Sequence, residues 1–139
     1  MRHANGRDRH NAGFDNKASY TKAYRDQLIY INKRVVQTVD SILKNSATPP
    51  VIILQSDHGP TSQLDWNNPT PHALRERMAI LNALLLSGFD PEKLGPDLTP
   101  INTFPLVLNH YLHLNLEMQN NTFWFSAEAK PYQFVSCLP

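Results

Sequence analysis

The run Ser56-Asp57-His58-Gly59 sets a carboxylate and an imidazole side by side, directly after a hydrophobic stretch. A carboxylate oxygen and an imidazole nitrogen are donors that zinc, manganese or iron accept. The glycine that follows lets the backbone turn sharply, so that neighbouring side chains can converge on one ion. Two donors do not complete a shell, because a metal site takes about four. Further ligands must then come from elsewhere. The plainer alternative is that Asp57 organises a turn and His58 is a surface residue of the loop, which accounts for most Asp-His pairs.

Other residues downstream carry less weight. His72 ends the polar loop after the motif, where it either reaches the site and its substrate or faces solvent as loop histidines commonly do. Asp65, Trp66 and Arg75 are candidates for the mouth of a pocket, and an arginine there would suit an anionic ester. Arg75-Glu76-Arg77 reads equally well as a solvated charge cluster. His110 and His113 are three apart and would share one face of a helix, but no third ligand is in view. Asn120-Asn121-Thr122 fits a glycosylation acceptor, which has no meaning without evidence of secretion.

The elements that must position the motif are legible in part. Tyr24, Leu28, Ile31, Val35, Val39 and Ile42 recur at helical spacing, which predicts a helix from about Ser19 to Lys44. Ser19 or Thr21 would cap its start, and Asn45 with Pro49-Pro50 would stop it. Ile29 and Val36 widen the stripe, so the helix should pack on more than one neighbour. Pro50 to Ser56 is a short β-branched apolar run, read as a buried strand in a parallel sheet. A helix followed by such a strand implies an α/β architecture, a layered sheet with flanking helices. In open sheets of that kind ligands bind at the carboxyl ends of strands, where Asp57 and His58 stand.

Asp57 to His72 is a long polar loop, and Arg77 to Ser87 suits either a helix or a strand until Gly88 ends it. Thr99-Pro100 marks the approach to a second helix running to about His113, its first turn shifted to Thr103 so that Pro105 falls near the start. Phe123, Trp124, Phe125, Tyr132 and Phe134 lack helical spacing and read as short extended strands or an aromatic tail packed on the body.

Composition sets outer bounds. The chain has 139 residues, with 13 Lys+Arg against 12 Asp+Glu and 41% hydrophobic residues, enough for a core in one modest domain or part of a larger one. No broad basic face is available for phosphates, and few cations lie between the C-terminal aromatics, so nucleic acid is not an expected partner. Cys137 is the sole cysteine, so no internal disulfide framework holds the fold. Residues 1–18 are polar, without apolar periodicity or a signal-like segment, and read as a flexible N-terminal segment.

The segments YRDQLIYINKRVVQTVDSIL, PPVIILQSDHGP, RERMAILNALLL and INTFPLVLNHYL together resemble the C-terminal part of sulfatase-like proteins of the alkaline phosphatase superfamily. The resemblance spans roughly residues 20–135, so residues 19–139 would form the C-terminal part of a sulfatase-like domain. It implies a divalent metal cofactor (zinc, manganese or calcium) held by Asp57 and His58. It also implies a phosphate or sulfate ester as the substrate of the whole protein, which family members often place outside the cytoplasm on a membrane anchor. The family's Thr, Ser or modified Cys nucleophile lies well upstream of its Asp-His-Gly motif, so the chain alone is expected to turn over little or no ester. A domain lacking part of its sheet should expose a strand edge and self-associate. The competing expectation is a small binding or assembly module in which the Asp-His-Gly turn is a relic.

Overall fold

A computed structural model describes residues 16–127 and 129–137 of the chain. The expected N-terminal segment therefore lies outside the described residues up to position 15, while Lys17 and Ala18 are already helical.

Helix α1 spans Lys17–Asn45. Its start is fixed by a reciprocal cap in which the Ser19 amide donates to Asn16 Oδ1 at 3.0 Å and the Asn16 amide donates to Ser19 Oγ at 3.2 Å. That satisfies two of the orphan donors of the first turn, with Asn16 rather than Ser19 or Thr21 as the capping residue. Lys44 sits in the last turn, where the helix dipole favours a cation. The 29 residues make a rod roughly 43 Å long. No residue of α1 is buried. Leu28, Ile29, Ile31 and Val36 are between 45% and 59% exposed, so the expected packing on several neighbours is not met among the described residues.

Strand β1, Val51–Gln55, pairs with β2, Asn82–Leu86. The pairing is antiparallel, running from Val51 opposite Leu86 to Gln55 opposite Asn82. The expected parallel, doubly covered strand is thus corrected: Val51 is exposed and the rest of β1 is half-buried. The physical reason lies in the connection, since the chain passes through helix α2, Pro71–Met78, and re-enters the sheet at the end it left, Asn82 opposite Gln55, instead of crossing over to the other end. The segment 77–87 that suited either helix or strand is both, Arg77 and Met78 closing α2 before β2 begins.

Helix α3 covers Pro100–Leu112, with Thr99 as its capping residue and Pro100 in its first turn. It does not shift to Thr103; Pro105 lies inside it and leaves the Ile101 carbonyl without its helical donor. Two-residue strands β3, Trp124–Phe125, and β4, Val135–Ser136, pair antiparallel as a second small sheet, as the aromatic segment suggested.

Among the described residues the architecture is mixed α and β with two two-stranded sheets. One buried apolar cluster joins Leu74, Phe125 and Cys137, with Leu64, Trp66, Met78, Phe123 and Ala127 against them. A polar tie fixes α3 to the first sheet: Gln55 Nε2 donates to Asn82 Oδ1 at 3.1 Å and to the fully buried Thr103 Oγ1 at 2.9 Å. Asn102 pairs with the backbone of Gln119 in both directions at 2.8 Å, holding the following extended segment alongside α3. Among the described residues no helix is long and apolar enough to cross a membrane.

Candidate metal-ligand pair and adjoining groove

The loop after β1 is tied to the residue before β2, to α2 and to α1, from which Tyr20 Oη accepts from the Thr61 amide at 3.3 Å. The Ser56 amide donates to the Leu81 carbonyl at 3.0 Å and the Leu81 amide donates to Ser56 Oγ at 2.9 Å. The Gly59 amide donates to the Arg77 carbonyl at 2.8 Å. Further on, Ser62 Oγ donates to Glu76 Oε1 and the Gln63 amide to Glu76 Oε2. The motif thus sits between the end of β1 and the end of α2.

Gly59 is buried, and a Cβ there would collide with the carbonyl oxygens of Glu76 and Ala79. Among described glycines only Gly88 has a positive φ. Close approach of two backbones, rather than a special turn conformation, is what requires glycine at position 59.

Asp57 and His58 face each other on the exposed side of this turn. Asp57 Oδ1 accepts from the His58 amide at 3.0 Å, and Asp57 Oδ2 lies 3.3 Å from His58 Nε2. Two donor atoms at that separation, each bonded at about 2.0–2.1 Å to one ion, subtend an angle of roughly 105°, close to tetrahedral. His58 Nδ1 lies 2.9 Å from the Gly59 carbonyl, the kind of partner that fixes the tautomer of a ligating histidine. Among the described residues no group of three or more His, Cys, Asp or Glu converges as a metal shell. The pair therefore fits half of a site and no more.

Arg77, two residues beyond the arginine singled out in the sequence, reaches this pair. Its Nη1 contacts His58 Nδ1 and donates to the Gly59 carbonyl at 3.1 Å. Because guanidinium only donates, Nδ1 accepts in that contact and the proton of His58 sits on Nε2. To ligate through Nε2, His58 must instead carry its proton on Nδ1, donate to Gly59, and leave Arg77 its bond to the same carbonyl. Partial burial lowers the Arg77 pKa from its ordinary value, while the charge of Asp57 opposes that shift.

A groove of about 1190 Å³ opens beside the pair, lined by Asp57, His58, Trp66 and Arg77 at one end and by residues 94–101 and 121–126 beyond. Neither His72 nor Arg75 lines it. His72 is exposed, with its Nε2 3.2 Å from Gln63 Nε2. Residues two apart on a helix point about 200° apart, so Arg75 and Arg77 cannot both face the motif, and it is Arg77 that does. Trp66 is at the groove as expected. Asp65 closes a local turn by accepting from the Asn67 amide at 2.9 Å. His110 packs edge-on to Phe89, and His113 ends α3 in the left-handed conformation. The signal that could have found Arg77 is the helical phase of Pro71–Met78, which the sequence left undefined.

No protein-family model matches this chain, and no curated protein or solved structure does.

Proposed function

We propose that the chain supplies the C-terminal part of a metal-dependent phosphate or sulfate ester hydrolase or transferase, with Asp57 and His58 as two ligands to one divalent ion. What supports it most is the 3.3 Å spacing of Asp57 Oδ2 and His58 Nε2 just after the end of a strand. In this reading β1 belongs to a larger layered α/β sheet, and the bare face of α1 is covered by further protein.

A bound divalent ion would polarise the ester oxygen and neutralise charge on the transferring group. Asp57 contributes an anionic oxygen to such an ion, and His58 a neutral nitrogen held in orientation by Gly59. Arg77 supplies positive charge beside them. No nucleophile is assigned to this chain, so turnover by the chain alone is expected to be negligible.

The test is calorimetric titration of the chain with zinc and with manganese. We expect weak one-to-one binding that is lost in Asp57→Ala and in His58→Ala. Undiminished binding in both variants would remove the reading, as would hydrolysis of an aryl phosphate that needs neither residue. A second reading, a non-catalytic assembly module, draws on the uncovered apolar stripe of α1; it requires a closed oligomer with that stripe at its interface.

A further inference from the structure

The groove beside Asp57 and His58 is polar at one end and apolar along its length, and the polar groups along its far wall are largely engaged with protein partners. Asn82 Nδ2 donates to the Leu98 carbonyl at 3.0 Å while its Oδ1 accepts from Gln55. Asn121 Nδ2 donates to the Asp97 carbonyl at 2.8 Å, and its Oδ1 accepts from Thr99 Oγ1 at 2.6 Å and from Asn102. Ser126 Oγ donates to the Pro131 carbonyl at 3.0 Å. A ligand rich in hydroxyls would have to break these bonds or leave its own unmatched, at a cost for every buried group. Leu84, Leu94, Ile101, Phe123 and Trp124 form the apolar remainder, and of these Ile101 and Trp124 are more than half exposed.

Arg77 stands at the polar end, in contact with His58. Its guanidinium carbon stands 5.8 Å from the Trp66 ring centroid, and Trp66 in turn lies 5.7 Å from the buried Phe125. The tilted ring pair backs the guanidinium at the groove. Among the described residues only Nη1 of Arg77 has a hydrogen-bond acceptor, which leaves Nε and Nη2 free to form a fork to a tetrahedral anion. Asp57 and Asp97 also line the groove, and their charges disfavour an anion at their own positions. Arg77 is the sole Lys or Arg among the described lining residues, so an anion is directed to its free fork.

We propose that this groove is the substrate site for an organic anion with an apolar body, Arg77 holding the phosphoryl or sulfuryl oxygens and the Trp124 and Ile101 wall receiving the apolar part. The assignment rests on the function proposed above and narrows its substrate class: the leaving group is apolar and flat, not a polyol. Arg77 is the anion-holding residue, a role distinct from metal ligation by Asp57 and His58.

The chain's only two tryptophans, Trp66 and Trp124, both line the groove, so intrinsic fluorescence reports its occupancy. The experiment titrates the 139-residue chain, without metal and again with manganese, with phenylphosphonate, which cannot be hydrolysed at its P–C bond under these conditions. Methylphosphonate, phenol and glycerol 1-phosphate are the comparison ligands. Phenylphosphonate should bind at least about tenfold more tightly than any of the three, the gain expected from burying most of a ring. Arg77→Met, which keeps the aliphatic stem, should reduce phenylphosphonate binding to the level of phenol, and Arg77→Lys should recover part of it. Circular dichroism of each variant establishes that it is folded.

Equal binding of phenyl- and methylphosphonate, no binding of either, or full affinity in a folded Arg77→Met variant would overturn the proposal. The metal reading fails separately: anion selectivity that persists while neither Asp57→Ala nor His58→Ala alters metal binding would keep the groove and discard the ion.

Discussion

Helix α1 and the segment from Ser56 to Leu86 are both patterned with apolar residues, yet the described structure treats them differently. In the second, Ala73 and Leu74 are buried, Gly59 is wedged against the end of α2, and backbone bonds tie the loop to both neighbours. In the first, a stripe of Leu, Ile and Val over 29 residues buries nothing. An apolar stripe at helical spacing records that a helix has a face to hide, but not where the covering surface lies. The loop and hairpin find that surface within the described residues, and the helix does not.

The comparison breaks most readily at Gly59. Gly59→Ala forces a methyl into two carbonyl oxygens and should cost about 3 kcal/mol, the upper range for overpacking. Chemical denaturation read by circular dichroism measures it. A cost near zero would mean that the loop does not pack on α2 as described.

Next in size, Leu74→Ala should cost about 2–3 kcal/mol through loss of burial and the cavity left behind. Ile31→Ala should stay within about 0.5 kcal/mol, since it removes an exposed side chain from a helix that tolerates alanine well. Matching losses at the two positions in the same denaturation series would show that α1 is covered in solution. Sedimentation velocity with Ile31→Lys then tells whether the cover is another copy of the chain.

A smaller effect sharpens the packed side. Burial raises the Cys137 thiol above its usual 9.0, so the unfolded chain loses that proton at a lower pH than the folded one. The folded state then binds more protons, and stability falls as pH rises past 9. Alkylation of Cys137 should be slow in the folded chain and fast in denaturant, as a mass-spectrometric time course would show. The smallest effect belongs to α1, where hydrogen bonding to Lys22 lowers the pKa of the exposed Asp26. That contribution is present above the ordinary carboxylate range, fades as pH falls through it, and is screened by salt. A slight helicity loss in acid at low salt is the expected signal.

Much of the local structure was legible because it is encoded locally. The step pattern from Tyr24 to Ile42, the β-branched run before Gln55 and the Thr99-Pro100 start of α3 each carry their own signal. The direction of β1 pairing was not, because strand direction depends on where the chain returns, and Leu84 and Leu85 suit either orientation. The Asp57–His58 pair was legible from residue type and its place after a strand. Arg77 was not, since Arg75 and Arg77 are equivalent in composition and only the phase of an eight-residue helix separates them. Gly59 was recognised for the wrong reason: its role is set by the carbonyls of Glu76 and Ala79, some twenty residues on.

In the proposed function, His58 offers Nε2 to an ion shared with Asp57. The most direct measurement is a long-range ¹H–¹⁵N correlation spectrum of the imidazoles during zinc titration, with His58 assigned by His58→Gln. Nε2 of His58 should move to a metal-bound shift while Nδ1 becomes the protonated nitrogen, and Asp57→Ala should weaken the change. An unchanged His58 spectrum at saturating zinc, or coordination through Nδ1, would contradict it.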